Sequence, residues 1–116
     1  MVPLFIKEMV DQTVSILRKL DEDSEVLSRS VSLSEKAASL AEVDKRIYTR
    51  YRDTYQKYSD EIPSYQVDVK ISDRIIKDYE NIEYYLKRQN SNYKVYIRDI
   101  YEALQMLINH HKNDDI

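Results

Sequence analysis

The sequence predicts an all-α fold, either an antiparallel four-helix bundle or an elongated helical hairpin with one long central helix that completes its core by dimerising. Apolar residues recur at three- and four-residue spacing along nearly the whole chain, as in amphipathic helices. The 116 residues include no glycine and only two prolines, so few positions would interrupt a helix. With 42% hydrophobic and 34% charged residues, the chain has the composition of a single globular domain spanning residues 1–116.

The first predicted helix covers residues 3–20. Its apolar stripe consists of Phe5, Met9, Ile16 and Leu20. Pro3 suits a first helical turn, where its missing N–H costs nothing. The acidic and serine-rich residues 21–32 stay undecided between helix and loop, because serine hydroxyls compete for backbone hydrogen bonds.

The second predicted helix is unusually long. Ser32 and Glu35 have the spacing of a capping box, and Pro63 stops the helix after about Glu61. At 1.5 Å per residue, such a helix is roughly 43 Å long. The predicted inward positions are Leu33, Ala37, Leu40, Ile47, Tyr51, Tyr55, Tyr58 and Ile62.

Residues 64–72 alternate between apolar and polar, which is the pattern of a strand. A lone strand has nothing to pair with, so we interpret the segment as an extended linker or an early start of the next helix. Ser72 is the expected cap of a third helix, at about residues 73–89. Its inward positions are Ile75, Ile76, Tyr79, Ile82 and Leu86.

The segment 89–92 (QNSN) is the predicted turn into the last helix. Asparagine tolerates the left-handed conformation better than other residues that have a side chain, so it takes the place of glycine here. The fourth helix is expected at about residues 93–111, with residues 112–116 as a frayed tail. Its inward positions are Ile97, Ile100, Tyr101, Leu104, Leu107 and Ile108.

The composition excludes several kinds of chemistry. Without glycine there is no phosphate-binding P-loop, dinucleotide fingerprint or nucleophile elbow, and without cysteine there is no disulfide, Cys-ligated metal or thiol catalysis. His110 and His111 are adjacent, so on a helix they point about 100° apart and should not ligate one metal together. The sequence therefore predicts no catalytic residue, no cofactor and no metal site, and the protein is not expected to be an enzyme.

No apolar run approaches the roughly 18 residues that a membrane span needs. The first ten residues, MVPLFIKEMV, are too short and too soon acidic for a signal peptide. We therefore expect a soluble, intracellular (cytoplasmic) protein that does not act at a membrane.

Two basic segments are candidates for an anion-binding surface. Residues 45–58 carry five positive side chains and one negative, and residues 84–98 carry four positive and none negative. Antiparallel packing is expected to bring these segments together at one end of the bundle, where aromatic rings beside cations can stack bases or hold phosphates. The candidate patch comprises Lys45, Arg46, Arg50, Lys87, Arg88, Tyr93, Lys94, Tyr96 and Arg98. The alternative is a solvated rim whose cations pair with nearby carboxylates.

A tyrosine stripe is the second candidate surface. Tyr48, Tyr51, Tyr55 and Tyr58 recur at i, i+3, i+7 and i+10. Such a stripe packs in a core or forms a protein interface, where tyrosine is enriched.

These observations rank the functions. The first is a small helical protein–protein interaction or assembly module, which associates with itself, as a homo-oligomer, or with another protein. The alternative is a nucleic-acid- or phosphate-binding module, and an enzyme comes third. Salt dependence separates the first two, because phosphate contacts weaken steeply as salt rises.

Overall fold

The computed structural model describes residues 1–113, which form five helices and no strand. The helices are α1 (Leu4–Glu22), α2 (Ser24–Arg29), α3 (Val31–Tyr58), α4 (Tyr65–Lys87) and α5 (Tyr93–Asn113). The all-α prediction is confirmed. None of these helices combines the length and the apolar character that crossing a bilayer requires.

The four long helices, α1, α3, α4 and α5, pack as an up-down-up-down bundle. α3 and α4 run antiparallel, since Asp44 contacts Tyr79 while Tyr51, further along α3, contacts Asp68 earlier on α4. α1 is antiparallel to α3 in the same way, because Phe5 packs on the ring of Tyr51 and the side chains of α1 beyond it reach Asp44. α1 thus closes the core within one chain, which is elongated at 49 × 23 × 19 Å.

The α1–α3 connection is mostly helical, which resolves the undecided residues 21–32. A break at Asp23 separates α1 from the short α2. Ser30, not Ser32, is the N-cap of α3, and its hydroxyl accepts a hydrogen bond from the Leu33 N–H at 3.3 Å. Ser30 has the extended backbone that lets a capping side chain accept a hydrogen bond from the third helical residue. Ser32 already lies inside α3.

Residues 65–72 are helical, so of the two interpretations of the segment 64–72 the early start of the next helix is confirmed and the extended linker is wrong. α3 ends at Tyr58, and α4 begins at Tyr65. Asp68 and Ser72 are buried four residues apart on the inner face of α4, so Ser72 is not a cap. The alternation of apolar and polar residues resembled a strand because these two inward positions of α4 are polar.

In the turn from α4 to α5, Gln89 adopts the left-handed backbone conformation (φ 52°). The asparagines, which were predicted to adopt it, have negative φ. Asn90 instead accepts a hydrogen bond from the Asn92 N–H at 2.9 Å and tightens the turn. With its amide oxygen turned toward α3, Gln89 accepts from the N–H groups of Ser30 (3.2 Å) and Val31 (3.3 Å). It thereby gives a partner to the Val31 N–H at the start of α3, whereas the Ser30 N–H also bonds the Val26 carbonyl.

The Gln89 backbone leads to a stability prediction. We expect Gln89→Gly to be more stable than Gln89→Ala by about 0.5–1 kcal/mol, because both lose the amide contacts but only glycine adopts positive φ without steric cost. Urea unfolding of the two variants measures the difference. An alanine variant as stable as the glycine variant would show that the left-handed conformation is unstrained here.

α5 continues to Asn113, two residues beyond the predicted helix end; residues 114–116 of the expected frayed tail lie outside the described part of the chain. The core is one cluster in which Tyr48, Tyr79 and Tyr93 are the largest fully buried side chains. Several positions expected inside are partly exposed, namely Phe5, Leu33, Leu40, Tyr58 and Ile62. On α3 the buried face runs through Ala37, Ala41 and Tyr48, so its apolar residues extend beyond the face that the bundle covers.

Candidate functional site

The tyrosine stripe belongs mainly to the core, which is the first of the two alternatives that its spacing left open. Tyr48 and Tyr51 are buried, and Tyr55 is half-buried with its ring 4.2 Å from that of Tyr51 and 4.4 Å from that of Tyr65. Only Tyr58, at the end of α3, is exposed, at 48%. Three of the four side chains lie on the face of α3 that packs within the bundle, so they are not available to a partner.

The two basic segments do not converge as expected. Lys45 lies 3.3 Å from the Glu83 carboxylate, which fixes the register of α3 against α4. From that level Arg88 lies five residues toward one end of the bundle, and Arg50 lies five residues toward the other. At 1.5 Å per residue they are roughly 15 Å apart along the axis.

Of the three candidate-patch cations in the first segment, two are paired within the chain. Lys45 has Glu83 as its partner, and Arg46 bonds the Glu42 carboxylate at 3.0 Å one turn earlier on α3. Arg50 is exposed, and no ion pair to it is present in residues 1–113. This part of the patch resembles the internally paired rim more than an anion site.

The α4 end of the patch holds a cation on an aromatic ring. The Arg88 guanidinium lies 3.6 Å from the centre of the Tyr84 ring and donates to the Tyr84 carbonyl. Lys87 lies in a shallow cleft beside Glu35 and Glu42 of α3. Arg88 thus has partners within the chain, whereas Lys87 lies near two carboxylates without forming an ion pair within residues 1–113.

On α5 the predicted patch residues point in different directions. Tyr93 is buried, and its hydroxyl donates to the Leu20 carbonyl at 3.1 Å. Tyr96 stacks on Tyr85 of α4, with ring centres 5.8 Å apart and an interplanar angle of 15°. Lys94 and Arg98 are each two positions from Tyr96 and therefore lie on the other side of α5. The structure does not assemble the nine residues into one surface.

An apolar surface remains uncovered beside the packed face of α3. We call Leu33, Leu40, Val43 and Ile47 the α3 flank. Leu33, Leu40 and Val43 are 40%, 38% and 52% exposed, and Ile47 is half-buried. Leu33 and Leu40 were predicted to lie in the core, so the sequence alone did not predict that this surface is exposed.

The α3 flank borders a concave surface that we call the α3 groove. It has a volume of about 250 Å³ and lies between α3, α2 and the last turns of α1. Its apolar lining includes Val26, Leu33 and Leu40, and its charged lining consists of Lys19, Asp23 and Lys36. The groove is therefore an apolar cleft with charges around its rim.

A buried carboxylate fixes α1 against the rest of the bundle. Asp44 is 0% exposed and accepts hydrogen bonds from Thr13 at 2.7 Å, from Gln12 at 3.2 Å and from the Tyr79 hydroxyl. Burial raises the pKa of Asp44, and these donors act against that rise. The carboxylate is fully buried, and its contacts join α1 to α3 and α4.

A second polar cluster lies at the end of the bundle opposite the α3 groove. His111 Nε2 lies 2.5 Å from one oxygen of the buried Asp68, which also accepts a hydrogen bond from Tyr51. His110 Nε2 lies 3.4 Å from the other oxygen and 3.0 Å from the Ser64 carbonyl. Two adjacent histidines thus reach one carboxylate, a contact that the sequence did not predict. No group of three or more His, Cys, Asp or Glu side chains in residues 1–113 is arranged to hold a metal ion.

A third cluster joins α4 to α5. Arg74 bonds both oxygens of Asp99, at 2.9 and 2.6 Å, and lowers the pKa of Asp99 to about 2. Burial, together with the neighbouring Asp99, raises the pKa of Asp78 to about 8. Asp78 therefore holds a proton at neutral pH beside an ionised carboxylate.

Comparison of the chain with protein-family models, with curated proteins and with solved structures gives no match. The function is therefore inferred from the surfaces and clusters of this chain. Its buried polar clusters hold helices together, whereas the α3 groove offers uncovered apolar surface to another molecule.

Proposed function

We propose that the protein is a helical protein–protein interaction module without catalytic activity, and that a helix of another protein docks in the α3 groove. The observation that carries the proposal is the exposed α3 flank. The alternative, a nucleic-acid-binding module, has less support because its cations are divided among separate surfaces. The intracellular location expected from the sequence stays a prediction.

The spacing of the α3 flank suits a partner helix. Its residues lie at i, i+7, i+10 and i+14, the a and d positions of a heptad pattern, into which the side chains of another helix can pack. Covering them would remove apolar surface from water at about 25 cal/mol per Å². The flank spans 14 residues, or roughly 21 Å, which matches about four turns of a partner helix.

The size of the α3 groove also favours a side-chain ligand. Pockets for small molecules usually have volumes of about 300–1,000 Å³ and enclose most of the ligand. At about 250 Å³ the groove is smaller than that range and open along α3. It suits one or two apolar side chains of a docked helix better than a whole small molecule.

A different protein fits the flank better than a second copy does. Lys36 and Arg50 occupy the remaining heptad positions along the α3 flank, and both are exposed. If two copies of α3 paired through the flank, these cations would be brought into the seam, and the flank itself has no carboxylate to neutralise them. Cations buried without partners are costly, so the homo-oligomer expected from the sequence is the weaker proposal.

A pair of matched variants tests the proposal. Leu40→Asp places a charge in the α3 groove, and Val95→Asp places the same charge on the outer side of α5, where Val95 is 62% exposed. We expect the wild type and Val95→Asp to recover the same partner protein from cells, and Leu40→Asp to recover at least tenfold less of it. Circular dichroism should show equal helicity for both variants.

Two results would contradict the proposal. One is recovery of the same proteins in equal amounts by Leu40→Asp and Val95→Asp. The other is a stable dimer of the purified protein in sedimentation that Leu40→Asp dissociates, since the flank would then bind a second copy.

A further inference from the structure

We infer that the helix that docks in the α3 groove is acidic: an amphipathic helix whose apolar stripe is flanked by Asp or Glu side chains. This inference rests on the proposed function and specifies the chemistry of its partner. Two observations carry it, namely the sign of the charges around the groove and their lack of partners within the chain.

The groove has the opposite charge to the protein as a whole. The complete chain has a net charge of −3. The charged residues that line the groove are Lys19, Lys36 and Asp23, which give a net charge of +1, and Arg50 lies further along the same side of α3. A partner helix in the groove would therefore meet mainly positive side chains.

Two cations that line the groove and a third further along α3 are available to a ligand. Lys19, Lys36 and Arg50 are exposed, and in the part of the chain that the structure describes no carboxylate lies within ion-pair distance of them. Elsewhere on α3 the cations Lys45 and Arg46 are paired. Ion pairs with a docked acidic helix would replace water at the three free cations without breaking a contact that the chain already makes.

Lys19 and Lys36 belong to different helices, which fixes where the acidic residues of the partner must lie. Lys19 is on the last turn of α1 and Lys36 is on the second turn of α3, and both line the groove that contains Leu33 and Leu40. A partner helix with its apolar stripe in the groove presents both of its flanks to these lysines. Acidic residues on both sides of the stripe therefore fit better than a single acidic edge.

Designed peptides test the charge requirement directly. Two labelled helical peptides of equal length would carry the same leucine stripe, one flanked by glutamates and the other by lysines. Anisotropy titrations at about 0.1 M ionic strength, where exposed charges are only moderately screened, give both affinities. We expect the glutamate peptide to bind at least tenfold more tightly, with a difference that shrinks as salt rises.

Charge variants of the protein test the same inference from the other side. Lys36→Glu should weaken the glutamate peptide about 3- to 10-fold and strengthen the lysine peptide, since one exposed ion pair corresponds to about 1.5- to 5-fold in affinity. Asp23→Asn removes the opposing charge and should tighten the glutamate peptide about twofold. Leu40→Asp should abolish binding of both peptides, and Val95→Asp should leave it unchanged.

The outcomes separate the inference from the proposed function. Equal binding of both peptides, lost in Leu40→Asp, would overturn the acidic partner and leave helix docking supported. Absence of binding by either peptide at hundreds of micromolar would overturn both. Binding of the protein to anionic lipid vesicles that Leu40→Asp abolishes, with neither peptide bound, would show that the groove serves a membrane surface and would also overturn both.

Discussion

Replacing Asp44 with alanine should lower the free energy of unfolding by about 3–5 kcal/mol. The substitution removes the acceptor of the buried Tyr79 hydroxyl and one acceptor of the buried Thr13 hydroxyl, which also bonds the Met9 carbonyl. The amide of Gln12 loses its acceptor as well, but Gln12 is exposed and can bond water. Each unsatisfied buried donor costs about 1–3 kcal/mol, and the lost side-chain volume adds a cavity term. Urea unfolding followed by circular dichroism measures the loss.

Two further variants show whether this loss comes from the hydrogen bonds. Asp44→Asn keeps the volume and one acceptor oxygen, so it should lose less than half as much as Asp44→Ala. Asp11→Ala removes an exposed carboxylate of α1 and should change stability by no more than about 0.5 kcal/mol. If Asp44→Ala lost less than about 1 kcal/mol, the hydrogen bonds to Asp44 would not be holding α1 in place.

Replacing Asp78 with asparagine should stabilise the protein by up to about 5 kcal/mol at pH 8. The pKa of Asp78 is raised to about 8 in the folded protein, against an ordinary value of 3.8. The folded state therefore keeps a proton that the unfolded state has released, and each unit of difference costs about 1.36 kcal/mol. Asparagine resembles the protonated acid and can donate to Asp99 without that cost.

The effect should depend on pH with a definite sign. Between about pH 4 and pH 8 the folded state binds more protons at Asp78 than the unfolded state does, so wild-type stability from this group falls as pH rises and levels off above pH 8. The gain in Asp78→Asn should therefore be near zero at pH 4 and largest at pH 8. Thermal unfolding across this range measures it.

Asp99→Asn serves as the opposite control. The pKa of Asp99 is lowered to about 2 by Arg74, so its ionised form stabilises the fold above pH 4 and loses that contribution as pH falls through about 2. Removing its charge should lower stability at neutral pH. An Asp78→Asn variant with the same pH profile as the wild type would show that Asp78 ionises normally in the folded protein.

The helices were predictable from the spacing of apolar residues, but the buried polar positions within them were not. Stripes such as Ile75, Ile82 and Leu86 locate α4 because most of its inner face is apolar. Asp68 and Ser72 lie on that same face, and a pattern of apolar residues assigns them to the outside. The partners of Asp68 come from distant elements, as His111 of α5 does, so nothing in the local sequence indicates that Asp68 is buried.

The alternatives for the two candidate surfaces stayed open in the sequence for a related reason. Residue spacing shows which side chains share a face of a helix, but it does not show which face the bundle covers. Tyr48 and Leu40 both lie on apolar positions of α3, yet one is buried and the other borders the α3 groove. Likewise, the separation of Arg88 from Arg50 depends on the register between two helices, which the Lys45–Glu83 contact sets.

The α3 groove has walls on both α1 and α3, and the proposed partner binding would therefore be coupled to the stability of the bundle. A ligand that binds only the assembled walls stabilises the folded chain by mass action, by about 2.7 kcal/mol at a hundred times its dissociation constant. The reverse also holds: whatever loosens α1 takes apart half of the binding surface. Asp44, enclosed in the core and out of reach of any partner, would then help to determine the affinity for one.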